Sequence, residues 1–205
     1  TTLNILQNCN LIVPKGSSIA ISGSSGSGKT TLLHIIAGLE QADKGNIQCC
    51  GQNLSQLDEE QRCNFRARNI GMIFQSFELI PGLNVLENIS LPLRLLKRNA
   101  VEETAKHWLN TLGLHKHIHQ DASQLSGGEQ QRVAIARALA LNPKIILADE
   151  PSGNLDQKNS SLICKILFEI CAKHSTTLIV ATHDLSLTPY FSEHFILEKG
   201  KLIKG

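Results

Sequence analysis

The sequence predicts an α/β core interrupted by an inserted α-helical subdomain and preceded by an N-terminal antiparallel β region. Three observations carry that fold class. Gly23-Ser24-Ser25-Gly26-Ser27-Gly28-Lys29-Thr30-Thr31 fits G-x-x-x-x-G-K-[ST] and lies between the apolar run 19–22 and the helix-like run 32–37, the strand, loop and helix context of a phosphate-binding loop. Short apolar runs alternate with helical periodicity up to residue 75 and again from residue 143, as in an α/β core. Between them, 84–95 and 101–112 carry apolar residues at helical spacing, and no strand pattern returns before Lys144. We therefore expect one domain over 1–205, with 1–75 and 143–205 forming the core and 76–142 the helical subdomain.

In chain order, residues 3–13 read as strand, closed by the turn Pro14-Lys15-Gly16. In the glycine-rich loop that follows, the backbone can curl so that successive N–H groups point at phosphate oxygens, aided by the positive end of the next helix. Lys29 is placed to reach the β- and γ-phosphates, and Thr30 to offer a hard hydroxyl oxygen to Mg²⁺. A chance match in a chain of this length has odds of order 1%. Residues 45–50 then read as strand, 58–68 as a helix with acidic residues in its first turn, and 70–74 as a buried strand.

Within the helical region Gly113 is placed as a helix stop. The alternating histidines of His115-Lys116-His117-Ile118-His119 could suit a transition metal, but their setting reads as a solvated connection. Ser126-Gly127-Gly128 opens the next helix with Ser126 in capping position. It forms a second place where backbone N–H groups could grip an anion. One nucleotide loop with two anion grips suggests a site completed between two copies.

The apolar run 145–148 delivers Asp149 and Glu150 at a strand's C-terminal end, where ligands sit in open α/β sheets. Asp149 can hold Mg²⁺ through water, and Glu150 can polarise a water for attack on the γ-phosphate. Ser152-Gly153-Asn154-Leu155-Asp156 reads as a turn before a helix with Leu162, Ile163, Ile166, Leu167 and Ile170 as its buried stripe. The strand 176–181 ends at Thr182-His183-Asp184, bringing His183 to the same sheet end as Lys29 and Asp149. Residues 193–197 and 201–203 form a closing hairpin around Lys199-Gly200.

A net charge of +2 with scattered basic residues gives no reason to expect a nucleic-acid partner. No apolar run approaches the roughly 18 residues of a spanning helix, and the N-terminus lacks a signal pattern, so the chain is expected to be soluble and not exported. The six cysteines lack paired C-x-x-C spacing and are expected to be reduced, mostly buried thiols. The first residue is Thr1 rather than Met, which suggests a truncated N-terminus.

GSSGSGKTT, Gln75 in IGMIFQSF, LSGGEQQR, ILADEP, SGNLD and His183 together resemble, in order and spacing, the nucleotide-binding subunits of ABC transporters, over essentially the whole chain. The wording IFQSFELIPGLNVLENISLPL and ADEPSGNLD looks most like the lipoprotein-releasing, macrolide-export and YbbA-type ATPases, which serve permeases of the mechanotransmission class. The resemblance implies a P-loop NTPase core of the ABC ATPase type and a head-to-tail homodimer enclosing two ATP. Lys29 and Thr30 of one subunit would hold phosphates and Mg²⁺ while Ser126, Gly127 and Gly128 of the other cap the γ-phosphate. Gln75 would contact the metal or attacking water, Glu150 would be the general base, His183 the γ-phosphate sensor, and Asp156 a link across the dimer interface.

It further implies a cytoplasmic protein, peripheral on the inner face of the cell membrane, with an integral membrane permease as partner. Phe77, Leu79, Ile80 and Leu83 either line a groove for that partner's helix or pack inside the subdomain. Family members usually stack adenine on an aromatic residue upstream of the loop, whereas this chain has none before Phe65. The competing class is a soluble ABC ATPase acting on DNA or ribosomes, but 205 residues hold neither a long coiled-coil insertion nor two such domains.

Overall fold

A computed structural model describes residues 4–205, and gives no account of the side chains at 157 and 158. Its main sheet has the order β4-β5-β6-β1-β7-β8, from strands β1 (Ser18–Ser22), β4 (Ile70–Ile73), β5 (Ile145–Asp149), β6 (Thr177–Thr182), β7 (Glu193–Glu198) and β8 (Lys201–Lys204). The first five run parallel, with registers such as Ile21↔Ala181 and Leu147↔Ile179, and β8 returns antiparallel to β7. Parallel strands are covered on both faces, which is why β5 and β6 read as near-continuous apolar runs rather than alternating ones.

The two faces bury different cores. Ile19, Ile21, Leu147, Ile179 and Ala181 point toward helices α1 (Lys29–Ala37) and α2 (Glu59–Asn69). Ile146, Ala148, Leu178 and Val180, one residue out of phase, point to the other side. There they share a continuous cluster with α3 (Val85–Leu95), α4 (Val101–Thr111), α5 (Gly127–Leu139) and α6 (Gln157–Lys173). The helical region has no core of its own; α5 lies against both β4 and α3 and joins its apolar residues to those of the sheet.

Local chemistry sets the helix ends. Asp58 and Asn84 are N-caps in full capping boxes with Gln61 and Glu87, each satisfying two otherwise orphaned N–H groups. Gly38 closes α1 in the left-handed region. Lys199 and Gly200, with φ of 49° and 75°, make the tight turn that matches the twist of β7 and β8.

Four expectations need correction. Residues 4–13 carry no strand: Leu6, Cys9, Leu11 and Val13 pack on the α1-side core, and Gln7 N–H reaches only the Gly200 carbonyl, at 2.6 Å. Residue 3 lies outside the described residues. Antiparallel pairing is found instead in the small hairpin β2 (Gln48–Cys49) and β3 (Gln52–Asn53), and between β7 and β8. Leu162 is 44% exposed, because the buried face of α6 is set by Ile163, Cys164, Leu167, Ile170 and Cys171, and at 100° per residue Leu162 falls outside that stripe. The cysteines are all free, but Cys50 and Cys63 are exposed; burial raises the thiols of Cys49 and Cys171 to about 12 and that of Cys164 to about 11.

Candidate active site

The C-terminal ends of β1, β5 and β6 gather most of the expected residues at one edge of the sheet. After β1 the loop 23–28 turns through Gly23, Gly26 and Gly28, whose φ values of 157°, 76° and 101° keep the chain curled. A β-carbon at Gly23 would meet the Leu197 carbonyl at 2.5 Å, so the loop's close seat on β7 excludes any side chain there. Gly28 is the N-cap of α1 and brings no side-chain cap, which leaves the first N–H groups of that helix for an anion. Ser27 Oγ is buried in the loop without a hydrogen-bond partner, and Ser24, Ser25 and Gly26 are exposed at its tip.

Lys29 is only 7% exposed and folds back along the loop, donating to the Gly23 and Ser24 carbonyls at 2.9 and 3.2 Å. Its ammonium also lies 3.8 Å from Glu150 Oε1. The other oxygen of Glu150 takes two bonds from His183, one from Nδ1 at 2.8 Å and one from the backbone N–H at 3.3 Å. Glu150 thus stands between two cationic or donor groups, with its backbone in the left-handed region at φ 45°. That conformation is costly for a residue with a β-carbon. It is held by Glu150 N–H on the Ala181 carbonyl and Gly153 N–H on the Glu150 carbonyl, both at 2.9 Å.

Thr30 donates its hydroxyl to Asp149 Oδ2 at 2.6 Å. Asp149 Oδ1 is buried with no hydrogen-bond partner. An unsatisfied carboxylate oxygen beside a hydroxyl oxygen is the donor set Mg²⁺ prefers, so these two residues fit that ion. Thr31 is half-buried on α1 behind them.

Gln75, two residues beyond β4, reaches this edge from the side. Asn154 donates from Nδ2 to the Gln75 backbone carbonyl at 2.9 Å, and Gln75 Nε2 lies 3.4 Å from Asn154 Oδ1. Beyond it, Phe77 and Glu78 have φ of 60° and 49°. Arg137 of α5 fixes both by donating to their carbonyls, at 3.0 and 2.5 Å, and burial pulls this guanidinium below its usual range. Neither Asn154 nor Arg137 was picked out as functional from sequence. Asn154 stood inside the SGNLD run, but no spacing rule aims it at Gln75.

The remaining group stands apart. Ser126 is the N-cap of α5 as expected, and Glu129 accepts from its N–H and its hydroxyl, at 2.9 and 2.5 Å. Those two bonds hold the Glu129 carboxyl below its usual range, and His117 Nε2 lies 3.2 Å from its second oxygen. A β-carbon on Gly127 would touch Leu155, and one on Gly128 would touch Asn159 at 3.4 Å, so this turn is seated against the start of α6. There Asp156, the N-cap of α6, accepts from Asn159 N–H at 3.0 Å. Among the described residues no hydrogen bond or ion pair joins Ser126, Gly127 or Gly128 to Lys29, Thr30, Asp149, Glu150 or His183. Among the described residues, too, no three His, Cys, Asp or Glu side chains group as metal ligands around 115–119 or elsewhere, so His117 is engaged with Gln120 and Glu129 instead.

A glycine-rich loop with a buried lysine, a hydroxyl–carboxylate pair, and a glutamate bracketed by lysine and histidine define a nucleoside-triphosphate-hydrolysing P-loop protein. The ABC transporter family model matches residues 6–153, and the chain belongs to that family as an ABC ATPase acting on ATP. It is 46% identical over 202 residues to the uncharacterized ABC transporter ATP-binding protein YbbA of Escherichia coli K12, covering 98% of this chain and 89% of that protein. It is 39% identical over 205 residues to the lipoprotein-releasing system ATP-binding protein LolD of Geobacter metallireducens, covering 99% and 91%. Among solved structures, a dimeric post-hydrolysis state of an ATP-binding cassette bound to ADP and Pi superposes with a TM-score of 0.90 at 37% identity, covering 98% and 90%.

Proposed function

We propose that this chain is the ATP-hydrolysing subunit of an ABC transporter in which two copies close head to tail around two ATP and drive a membrane permease of the mechanotransmission class. The carrying observation is that the chain holds two glycine-rich helix starts, one at Gly28 and one at Ser126, and that among the described residues no hydrogen bond or ion pair joins the second to Lys29, Thr30, Asp149, Glu150 or His183. A second helix start set apart from its own chain's phosphate loop is explained if it serves the ATP of a second copy, with the Ser126 hydroxyl turning from Glu129 to the γ-phosphate, as the likeness to a dimeric cassette bound to ADP and Pi supports.

In this reading Lys29 exchanges its bonds to the Gly23 and Ser24 carbonyls for β- and γ-phosphate oxygens. Residues 23–28, Thr30 and Thr31 cradle the phosphates, and Ser126, Gly127 and Gly128 of the second copy close on the γ-phosphate. Thr30 and Asp149, with Gln75, would hold Mg²⁺, which supplies charge neutralisation on the phosphates. Glu150 Oε1 takes a proton from the attacking water; the water oxygen bonds to the γ-phosphorus as the bond to ADP breaks, releasing phosphate. His183 orients Glu150 through Oε2, keeping Oε1 as the free base, and contacts the γ-phosphate with its other nitrogen. Asp156 lies in the turn that meets the second copy. The domain is a single unit over 1–205 with 76–142 as its helical subdomain, working in the cytoplasm on the inner face of the cell membrane.

For the permease, Ile80 is 37% exposed on the loop that follows Gln75, whereas Leu79 packs into the core. A photocrosslinker at position 80 in cells is expected to capture an integral membrane protein. Capture of only ribosomal, DNA-bound or soluble proteins, with the chain absent from membranes, would refute the transport reading.

A further inference from the structure

We propose that Asn154 is a positioning residue: it fixes the orientation of the Gln75 carboxamide so that the carbonyl end, not the amine end, faces the reacting groups. The proposal rests on the reading of Gln75 given above. Its logic follows from which atoms can donate. The Gln75 backbone carbonyl can only accept, so its bond from Asn154 Nδ2 at 2.9 Å settles which end of the Asn154 amide is nitrogen. Asn154 Oδ1 is then the atom turned toward the Gln75 side chain, 3.4 Å from Nε2. Turning the Gln75 amide over would set two carbonyl oxygens against each other. Nε2 is therefore drawn toward Asn154, and Oε1 remains as an acceptor for a hard cation or a water proton. Among the described residues no hydrogen bond occupies that oxygen.

Gly153 makes the approach possible. It does not lie in the left-handed region, so its missing side chain supplies space rather than backbone freedom. A β-carbon there would stand 2.9 Å from Gln75 Nε2 and 3.3 Å from its Cδ. The turn that carries both residues is anchored by Gly153 N–H on the Glu150 carbonyl at 2.9 Å. Gln75 and Glu150 are thereby set from one turn, although they leave different strands.

The test is a double-mutant cycle on the full-length protein. Steady-state kcat, KM for ATP and the Mg²⁺ concentration giving half-maximal rate are measured for Gln75→Ala, Asn154→Ala, Asn154→Asp and the Gln75→Ala/Asn154→Ala pair. We expect Asn154→Ala to lower kcat about tenfold and to raise the Mg²⁺ requirement, with KM for ATP little changed, since misplacement by about an ångström costs rate rather than substrate affinity. In the Gln75→Ala background the same change should have no further effect. Asn154→Asp, which keeps the acceptor for Gln75 Nε2 but loses the donor to the Gln75 carbonyl, should fall between wild type and Asn154→Ala. The Gln75 side-chain NH₂ resonances should shift in both Asn154 variants. Losses that add in the double variant, with Gln75→Ala itself defective, would overturn the role of Asn154 alone. A wild-type kcat in Gln75→Ala would remove the role of Gln75 and the proposal with it.

Discussion

The loop at Gly23–Gly28 and the turn at Ser126–Gly128 are both glycine-rich starts of helices, yet they are satisfied in opposite ways. The first is tied into its own chain: Lys29 reaches back to loop carbonyls, Thr30 reaches Asp149, and Glu150 bridges Lys29 and His183, so three strands contribute. The second is closed only locally, by a glutamate three residues on that takes both the N–H and the hydroxyl of Ser126. Chemistry that must be aimed accurately is built on the sheet, whereas the cap is closed by the first turn of its own helix.

Variants at the two turns should therefore fail differently. The largest effect is expected from Glu150→Gln, which keeps the shape and the bond from His183 but removes the base: kcat should fall about 10²–10⁴-fold with ATP binding retained. Hydrolysis at the wild-type rate would show that another group takes the proton. Lys29→Ala should weaken ATP binding by about 10–150-fold, matching the roughly 1.5–3 kcal/mol of hydrogen bonds made by a charged group, as read by fluorescent-nucleotide titration.

Ser126→Ala sharpens the contrast. It should leave the affinity of the isolated chain for ATP unchanged while lowering kcat by about fivefold to tenfold, the worth of one hydrogen bond of roughly 1 kcal/mol. Equal loss of ATP affinity in Lys29→Ala and Ser126→Ala would dissolve the distinction between the two turns. The same serine carries the smallest effect, on stability against pH. Because Ser126 holds Glu129 below its usual value of 4.5, that stabilisation is present above the ordinary glutamate range and is lost as pH falls through the lowered folded-state value. The stability difference between wild type and Ser126→Ala in urea denaturation should accordingly shrink as pH falls below the ordinary glutamate value of 4.5.

The sheet and the loop were readable because fully buried parallel strands leave long apolar runs and because G-x-x-x-x-G-K-[ST] is rigid in spacing. The stretch 4–13 shows where that reasoning stops. Its apolar residues do face a core, as the pattern implies, but a strand also needs a neighbour to bond with, and no alternation in one segment reveals whether one is there. Leu162 is the helical counterpart: apolar, in a helix, and one position away from the buried stripe. Lys29 and Thr30 were read from the spacing of the loop motif, and Asp149, Glu150 and His183 from the ends of predicted strands. Asn154 and Arg137 were not, since what they hold are backbone carbonyls at 75, 77 and 78, and a carbonyl has no signature in the amino-acid code.

Helix α5 begins at the Ser126 cap and ends near Arg137, whose guanidinium grips the loop just before the exposed Ile80. Thirteen residues of helix make a rod about 20 Å long. Its apolar flank is embedded in the cluster shared with the sheet, and such interiors yield little under load. The rod is a strut between two joints. A thrust of an ångström on the serine end would arrive at the arginine end nearly undiminished, and from there, through the Phe77 and Glu78 carbonyls, at the loop that carries Ile80.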